Sequence, residues 1–297
     1  MNNDFDNLNI IILTHKTELS VLEKCLLSIN KNIKIFLIEN SDNFINSNYI
    51  SNTYKNVSIF CTGKNLGYGG GNNFGLNLVK SKYALILNPD IICDKDYFNN
   101  IKKYLTNSID FSIIGSQYID NETYAPAGFF NKKLKLKDAK FDIETKLHKI
   151  DWVVGCSLLI NLEKFSKKSI FDENFFLFFE EFDLCKNLKR NNKNVYSSSD
   201  LIVHHLGYKS STGIKKEEDL IKLRNWHYMW SYFYYHRKNE GYLKALQVSL
   251  GKLFRSFFKI IFFSIIFNNK KRINYSYRFL GLLNSIIGKK SFYRIKD

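Results

Sequence analysis

Three short runs constrain the fold most: 9–13 (NIIIL), 33–38 (IKIFLI) and 83–87 (YALIL). Each is almost wholly apolar and rich in β-branched residues, without alternating polar side chains. That pattern belongs to a strand covered on both faces, as in a parallel sheet between helix layers. Each run stops at a polar cluster: Thr14 to Thr17, Glu39-Asn40-Ser41-Asp42, and Asn88-Pro89-Asp90. Between the first two runs, Leu19, Leu22, Cys25, Leu26 and Ile29 recur at helical spacing, which makes this stretch a βαβ unit. Residues 57–61 predict a third strand and 72–80 the next helix, so the fold class is doubly wound α/β. In such sheets ligands bind beyond the carboxyl ends of the strands, where these polar clusters fall.

Downstream, 112–118, 152–161, 195–197 and 201–204 read as strands, and 171–190 begins with aromatics and becomes a helix. Residues 220–237 predict an aromatic-rich helix, and 120–150, mixing Gly, Pro and charges, reads as a variable surface loop. The five cysteines are widely spaced and odd in number, with no CxxC pair, which disfavours a zinc site or disulfide framework. The N-terminus lacks the basic start and apolar stretch of a secretory signal. A reducing, cytoplasmic location is therefore expected.

Four clusters are candidates for chemistry. Residues 65–75 (NLGYGGGNNFG) are suited to close backbone approach to a diphosphate, with a following helix offering free N–H groups. The spacing is neither GxGxxG nor GxxxxGK[ST], which disfavours a dinucleotide fingerprint and a P-loop. Asn88-Pro89-Asp90 places a carboxylate at a strand end, where it can ligate a hard divalent cation or simply form a turn. Glu180-Glu181-Phe182-Asp183 follows five bulky apolar residues, 175–179. The acids suit the first turn of a helix, and desolvation would raise a carboxyl toward the range of a general base. His204 and His205 end a strand, so they face opposite sides and one of them can enter a cleft; Gly207 and the Ser210-Ser211-Thr212 cluster follow.

In order and spacing, IIILTHK, LIENSDN, NLGYGGGNNFG, ALILNPD, WVVGCSLLI, FFLFFEEFDLC and VHHLGYKSS resemble the family 2 inverting glycosyltransferases of GT-A fold, within their rhamnosyltransferase-like branch. The resemblance implies a nucleotide-diphosphate sugar donor, a glycan or lipid-linked acceptor hydroxyl, and Mg or Mn as cofactor. It also implies contacts to the nucleotide-sugar from Thr14, Glu39, Asn65, Gly67, Gly70, Asn72, Asn88 and Asp90. Glu39 stands where the family usually has Asp, and Asn88 replaces the first acid of the DXD-type metal motif. Glu181 matches the catalytic base, again Glu for the usual Asp, with Asp183 or Glu180 as alternatives. Asp90 with His204 or His205 would be the metal side.

Net charge is +16, and its distribution divides the chain. Residues 241–297 hold twelve basic side chains and one acid, +11 of the total, which leaves +5 for residues 1–240. The sequence therefore reads as a catalytic domain, 1–240, and a basic, aromatic helical tail, 241–297. Within the tail, 253–267 is strongly apolar, but Arg255 and Lys259 interrupt it and the unbroken run is too short to span a bilayer. It fits a helix lying on an anionic membrane surface, which implies a peripheral location on the cytoplasmic face of the inner membrane. No nucleic-acid module is recognisable, so nucleic acid is not an expected partner.

Overall fold

The computed structural model describes residues 4–120, 123–124, 127–206 and 217–295. Its first half alternates β1 (Leu8–Thr14), α1 (Leu19–Leu27), β2 (Lys34–Glu39), α2 (Ser47–Thr53), β3 (Val57–Cys61), α3 (Gly67–Leu78) and β4 (Tyr83–Leu87). Then come β5 (Ile91–Cys93), α4 (Tyr97–Thr106), β6 (Ile113–Asp120), β7 (Thr123–Tyr124), β8 (Lys140–Asp142), β9 (Leu147–Ile150) and β10 (Ser157–Asn161). The chain finishes with α5 (Glu180–Arg190), β11 (Val195–His205), α6 (Glu217–Glu240), α7 (Tyr242–Ile265) and α8 (Asn269–Ile286).

The described residues divide into two compact units. One comprises 1–66, 70–171 and 184–213; the other comprises 67–69, 172–183 and 214–297. In the first unit all strands join one mixed sheet, with path β3-β2-β1-β4-β10-β6-β11-β9-β8. β1 runs parallel to β2 and β4, and β2 parallel to β3, while β10 is antiparallel to both β4 and β6. The chain thus steps outward from β1 to β3 and returns to β4 on the other side of β1. That reversal is a topological switch point, and it opens a crevice at the strand carboxyl ends. The sheet core includes Ile10, Ile12, Leu22, Cys25, Leu85 and Leu159, all fully buried.

The glycine cluster is not a loop before a helix: α3 begins at Gly67 and runs through it. Packing overrides the poor helix propensity of glycine here. A Cβ at Gly71 would overlap Leu13 Cδ1, and one at Gly75 would lie 2.6 Å from Ile11 Cγ2. Glycine at these positions therefore lets α3 lie directly on β1.

Other expectations change as well. Residues 120–150 contain the antiparallel pair β8–β9. The run from Trp152 forms only an isolated bridge, Trp152 to Gly128, before β10 starts at Ser157. The two short strands expected at 195–204 are one strand, β11, with its register against β6 shifted between Ser197 and Ile202. α2 and β5 carry no apolar run long enough to announce them, whereas α4 carries Tyr97, Phe98, Ile101 and Tyr104 at helical spacing, a signal the sequence reading did not use.

In the second unit α6, α7 and α8 pack around Met229, Phe233, Ala245 and Leu282. Residues 241–295 therefore share a core with α6. Among the described residues no helix is long and apolar enough to cross a membrane.

Candidate active site

In the sheet unit, the carboxyl ends of β1 and β2 are locked together by one buried carboxylate. Glu39 Oε2 accepts from Thr14 Oγ1 at 2.8 Å, and Oε1 accepts from Ser41 Oγ at 2.8 Å and from the Lys16 backbone N–H at 3.1 Å. A buried carboxylate is tolerated only with such partners. Glu39 and Thr14 therefore fix the ends of β1 and β2 against each other. Beside them, buried Asn40 donates to Asn65 Oδ1 at 3.1 Å and accepts the Leu66 N–H at 2.9 Å, which fixes the approach to α3. Asn72 is fully buried. Asn73, next to it, bonds the Phe171 backbone in both directions, at 2.9 and 3.1 Å. Gly70, on the first turn of α3, has Leu66 Cβ 3.0 Å from where its own Cβ would stand.

Past β4, the chain turns through Asn88-Pro89-Asp90, closed by Ile91 N–H donating to Asn88 O at 3.2 Å. β5 then pairs antiparallel with β11, placing His205 opposite Ile91 and His204 opposite Ile92. Strand alternation separates the two histidines. His205 Nε2, partly buried, lies 3.6 Å from Oδ2 of buried Asp90, whereas His204 is half exposed and 3.6 Å from Asp94. The Leu206 N–H donates to Asp90 O at 2.9 Å, tying the ends of both strands. His205, not His204, is thus the histidine brought to Asp90. Gly207 and Ser210 to Thr212 lie outside the described residues.

A carboxylate oxygen and an imidazole nitrogen side by side are donors that Mg2+ or Mn2+ accepts. Among the described residues no group of three or more His, Cys, Asp and Glu is placed to hold a metal. Two protein donors suit a cation whose remaining positions go to phosphate and water.

In the second unit, the segment before α5 is strained. Phe178 and Phe179 both have positive φ, 70° and 71°, a region costly for bulky residues. Aromatic packing against α6 holds the turn. The Phe179 ring lies 5.5 Å from Tyr228 and 5.5 Å from Tyr235, and Phe178 lies 5.6 Å from Tyr228. Upstream, Gly67 (φ 79°) leaves no room for a side chain against the Phe176 carbonyl, which accepts the Tyr68 N–H at 2.9 Å.

This turn delivers three carboxylates in different states. Asp183 accepts from Lys238 Nζ at 2.6 Å and from Asn239 Nδ2 at 2.8 Å, so it is committed to an ion pair with α6. Glu180 is buried, and its Oε1 has no hydrogen-bond partner among the described residues. Burial, reinforced by the adjacent Glu181 charge, holds the Glu180 carboxyl well above the usual range. Glu181 is half-buried, and desolvation raises it too, but its hydrogen bond with Glu180 favours its ionised form. Within the pair, burial favours the proton on Glu180, and the hydrogen bond favours ionisation of Glu181. Of the three acids, only Glu181 combines partial exposure with no ion pair among the described residues.

Sequence reasoning singled out neither Asn40 and Ser41 nor Lys238 and Asn239. The first two lay inside the quoted LIENSDN stretch. The second two had no local signal, since they act across 55 and 56 residues.

The profile described as Glycosyl transferase family 2 matches residues 10–160. The low-salt glycan biosynthesis hexosyltransferase Agl10 of Haloferax volcanii is 28% identical over 203 residues, 64% of this chain and 64% of its own length. Rhamnosyltransferase WbbL of Escherichia coli K12 is 26% identical over 216 residues, 60% of this chain and 75% of its own. This chain thus spans just under two thirds of the Haloferax relative.

Among solved structures, GalNAc-T7 with UDP, GalNAc and Mn2+ superposes with a TM-score of 0.55 at 11% identity, covering 76% of this chain and 50% of that one. The mannosyltransferase PcManGT of Pyrobaculum calidifontis, in complex with GDP-Man and Mn2+, gives 0.53 at 9% identity, covering 94% and 86%. At such identities the likeness is one of fold, the GT-A fold.

Proposed function

The chain belongs to glycosyl transferase family 2, and from that premise we propose that it moves a hexose, rhamnose or a similar sugar, from a nucleotide-diphosphate donor to a hydroxyl of a glycan or lipid-linked acceptor. The observation that carries this reading is the pairing of buried Asp90, just past the end of β4, with His205, together with the Thr14–Glu39 lock at the carboxyl ends of β1 and β2.

Asp90 and His205 would hold Mg2+ or Mn2+, which as a Lewis acid neutralises charge on a diphosphate leaving group. Thr14 and Glu39 keep the ends of β1 and β2 rigid for the nucleotide, and Asn40 and Asn65 hold the chain entering α3. Glu181 serves as general base. Its carboxylate takes the proton of the acceptor hydroxyl as that oxygen bonds to the anomeric carbon. The bond from that carbon to the diphosphate oxygen breaks, and its electron pair leaves with the nucleoside diphosphate. One base is enough for a single displacement with inversion, so no protein nucleophile is required.

The branch resemblance and the basic tail support a place in surface polysaccharide synthesis, with the protein peripheral on the cytoplasmic face of the inner membrane. Ligand stabilisation tests the donor half of the proposal. A nucleotide-sugar should raise the melting temperature in the presence of Mn2+, and Asp90→Ala should remove the Mn2+-dependent part of the shift. An unchanged Mn2+ titration in Asp90→Ala would remove Asp90 from the metal side.

A further inference from the structure

α7 exposes an apolar face that none of the described residues of its own unit covers. Leu250, Phe254, Phe257, Phe258, Ile261 and Ile265 are all exposed, with Phe254 at 57% and Phe258 at 63%. At 100° per residue these six fall on an arc of about 100°. The buried positions Ala245, Ser249, Ser256 and Phe263 lie on the opposite side, toward the helical core. The stripe is therefore a second face of a helix already packed on its first. Beyond the end of α7, Phe267 projects at 87% exposure, and exposed Lys270, Lys271 and Arg272 follow at the start of α8.

Charge selects the occupant. Residues 241–295 contain eleven Lys and Arg and no Asp or Glu. Exposed Lys244 and Arg255 border one side of the stripe, and the Lys270–Arg272 cluster closes its end. A second copy meeting this face would bring like charges together. An anionic bilayer surface instead receives the phenylalanines at headgroup depth and the cations at the phosphates.

We propose that the exposed face of α7, with Phe267 and the Lys270–Arg272 cluster, docks the protein on an anionic phospholipid surface, lying in the interface without crossing it. This deepens the proposed function and rests on it for the lipid-linked acceptor, while the surface itself is read from α7 and α8.

Flotation of the full chain with vesicles tests it. Binding to mixed phosphatidylglycerol–phosphatidylcholine vesicles should exceed binding to phosphatidylcholine alone by about tenfold or more. Phe254→Ser/Phe258→Ser should lower anionic-vesicle binding by about tenfold or more. The triple change of Lys270, Lys271 and Arg272 to Ser should abolish the preference for anionic vesicles. Release of nucleoside diphosphate from a soluble donor should be the same in all variants, which shows the fold intact. Wild-type vesicle binding by the Phe254/Phe258 variant would overturn the proposal. So would a dimer of the full chain that this variant dissolves while vesicles recruit neither form. No donor turnover in any form, with flotation as expected, would sink the sugar-transfer reading and leave the docking face standing.

Discussion

Glu180 and Glu181 are adjacent in sequence and unequal in chemistry. Burial raises the Glu180 carboxyl and so favours its protonated form, and its hydrogen bond to Glu181 favours the ionised neighbour. Removing that donor raises the Glu181 pKa. Glu180→Ala should therefore shift the acid limb of the pH–rate profile to higher pH by about one unit, while Glu180→Gln, which keeps a donor, stays near wild type. A kcat/KM profile in which both variants overlay wild type would show that Glu180 does not tune the base. The acids themselves were legible in the sequence as a cluster after an apolar run. Their ranking was not, because it depends on Lys238 and Asn239, which claim Asp183 from a distant helix. Likewise, alternation along a strand separated His204 from His205, but only the β5–β11 register says which one meets Asp90.

At the scale of elements, α3 shows two rules in competition. Gly→Ala inside a helix ordinarily gains up to about 1 kcal/mol, while overpacking a close contact costs about 1–3 kcal/mol. A Cβ at Gly75 would meet Ile11, whose β-branched side chain has little rotamer freedom to yield. Gly75→Ala should thus lower stability by about 1–2 kcal/mol, read as a fall in urea midpoint at unchanged slope. Gly251, exposed on α7 with nothing within 4 Å of its Cβ position, should instead gain about 0.5–1 kcal/mol on the same change. A destabilised Gly251→Ala beside a neutral Gly75→Ala would refute the packing account. The same competition explains what the sequence reveals of the fold. β3 and β4 were readable to the residue because apolar runs bounded by polar clusters leave no other choice. The start of α3 was not, since its glycines are selected by a strand laid against them.

At the scale of the molecule, stability is tied to pH through the helical unit. His227 is buried, with Nδ1 3.0 Å from Ser291 Oγ and Nε2 2.8 Å from the Tyr293 carbonyl, and burial, aided by the Arg294 charge, lowers its pKa to about 3. Between the ordinary value near 6.5 and that lowered value, the unfolded chain binds a proton that the native chain refuses. Stability from this residue is complete above the ordinary value and falls as pH drops through the window, by an order of a few kcal/mol in all. Melting temperatures should therefore decline from pH 7 to pH 4 in wild type and decline less in His227→Gln, whatever that variant loses at neutral pH. Parallel curves would remove His227 from the cause.

Sugar transfer with Glu181 as base is decided by a transfer assay. Wild type and Glu181→Gln would each be given a nucleotide-sugar, a divalent cation and a glycan or lipid-linked acceptor, with product and donor binding both measured. Wild type should transfer the sugar, and Glu181→Gln should lose transfer by about a hundredfold or more with donor binding retained. Transfer near the wild-type rate by Glu181→Gln would contradict the role of Glu181 as base.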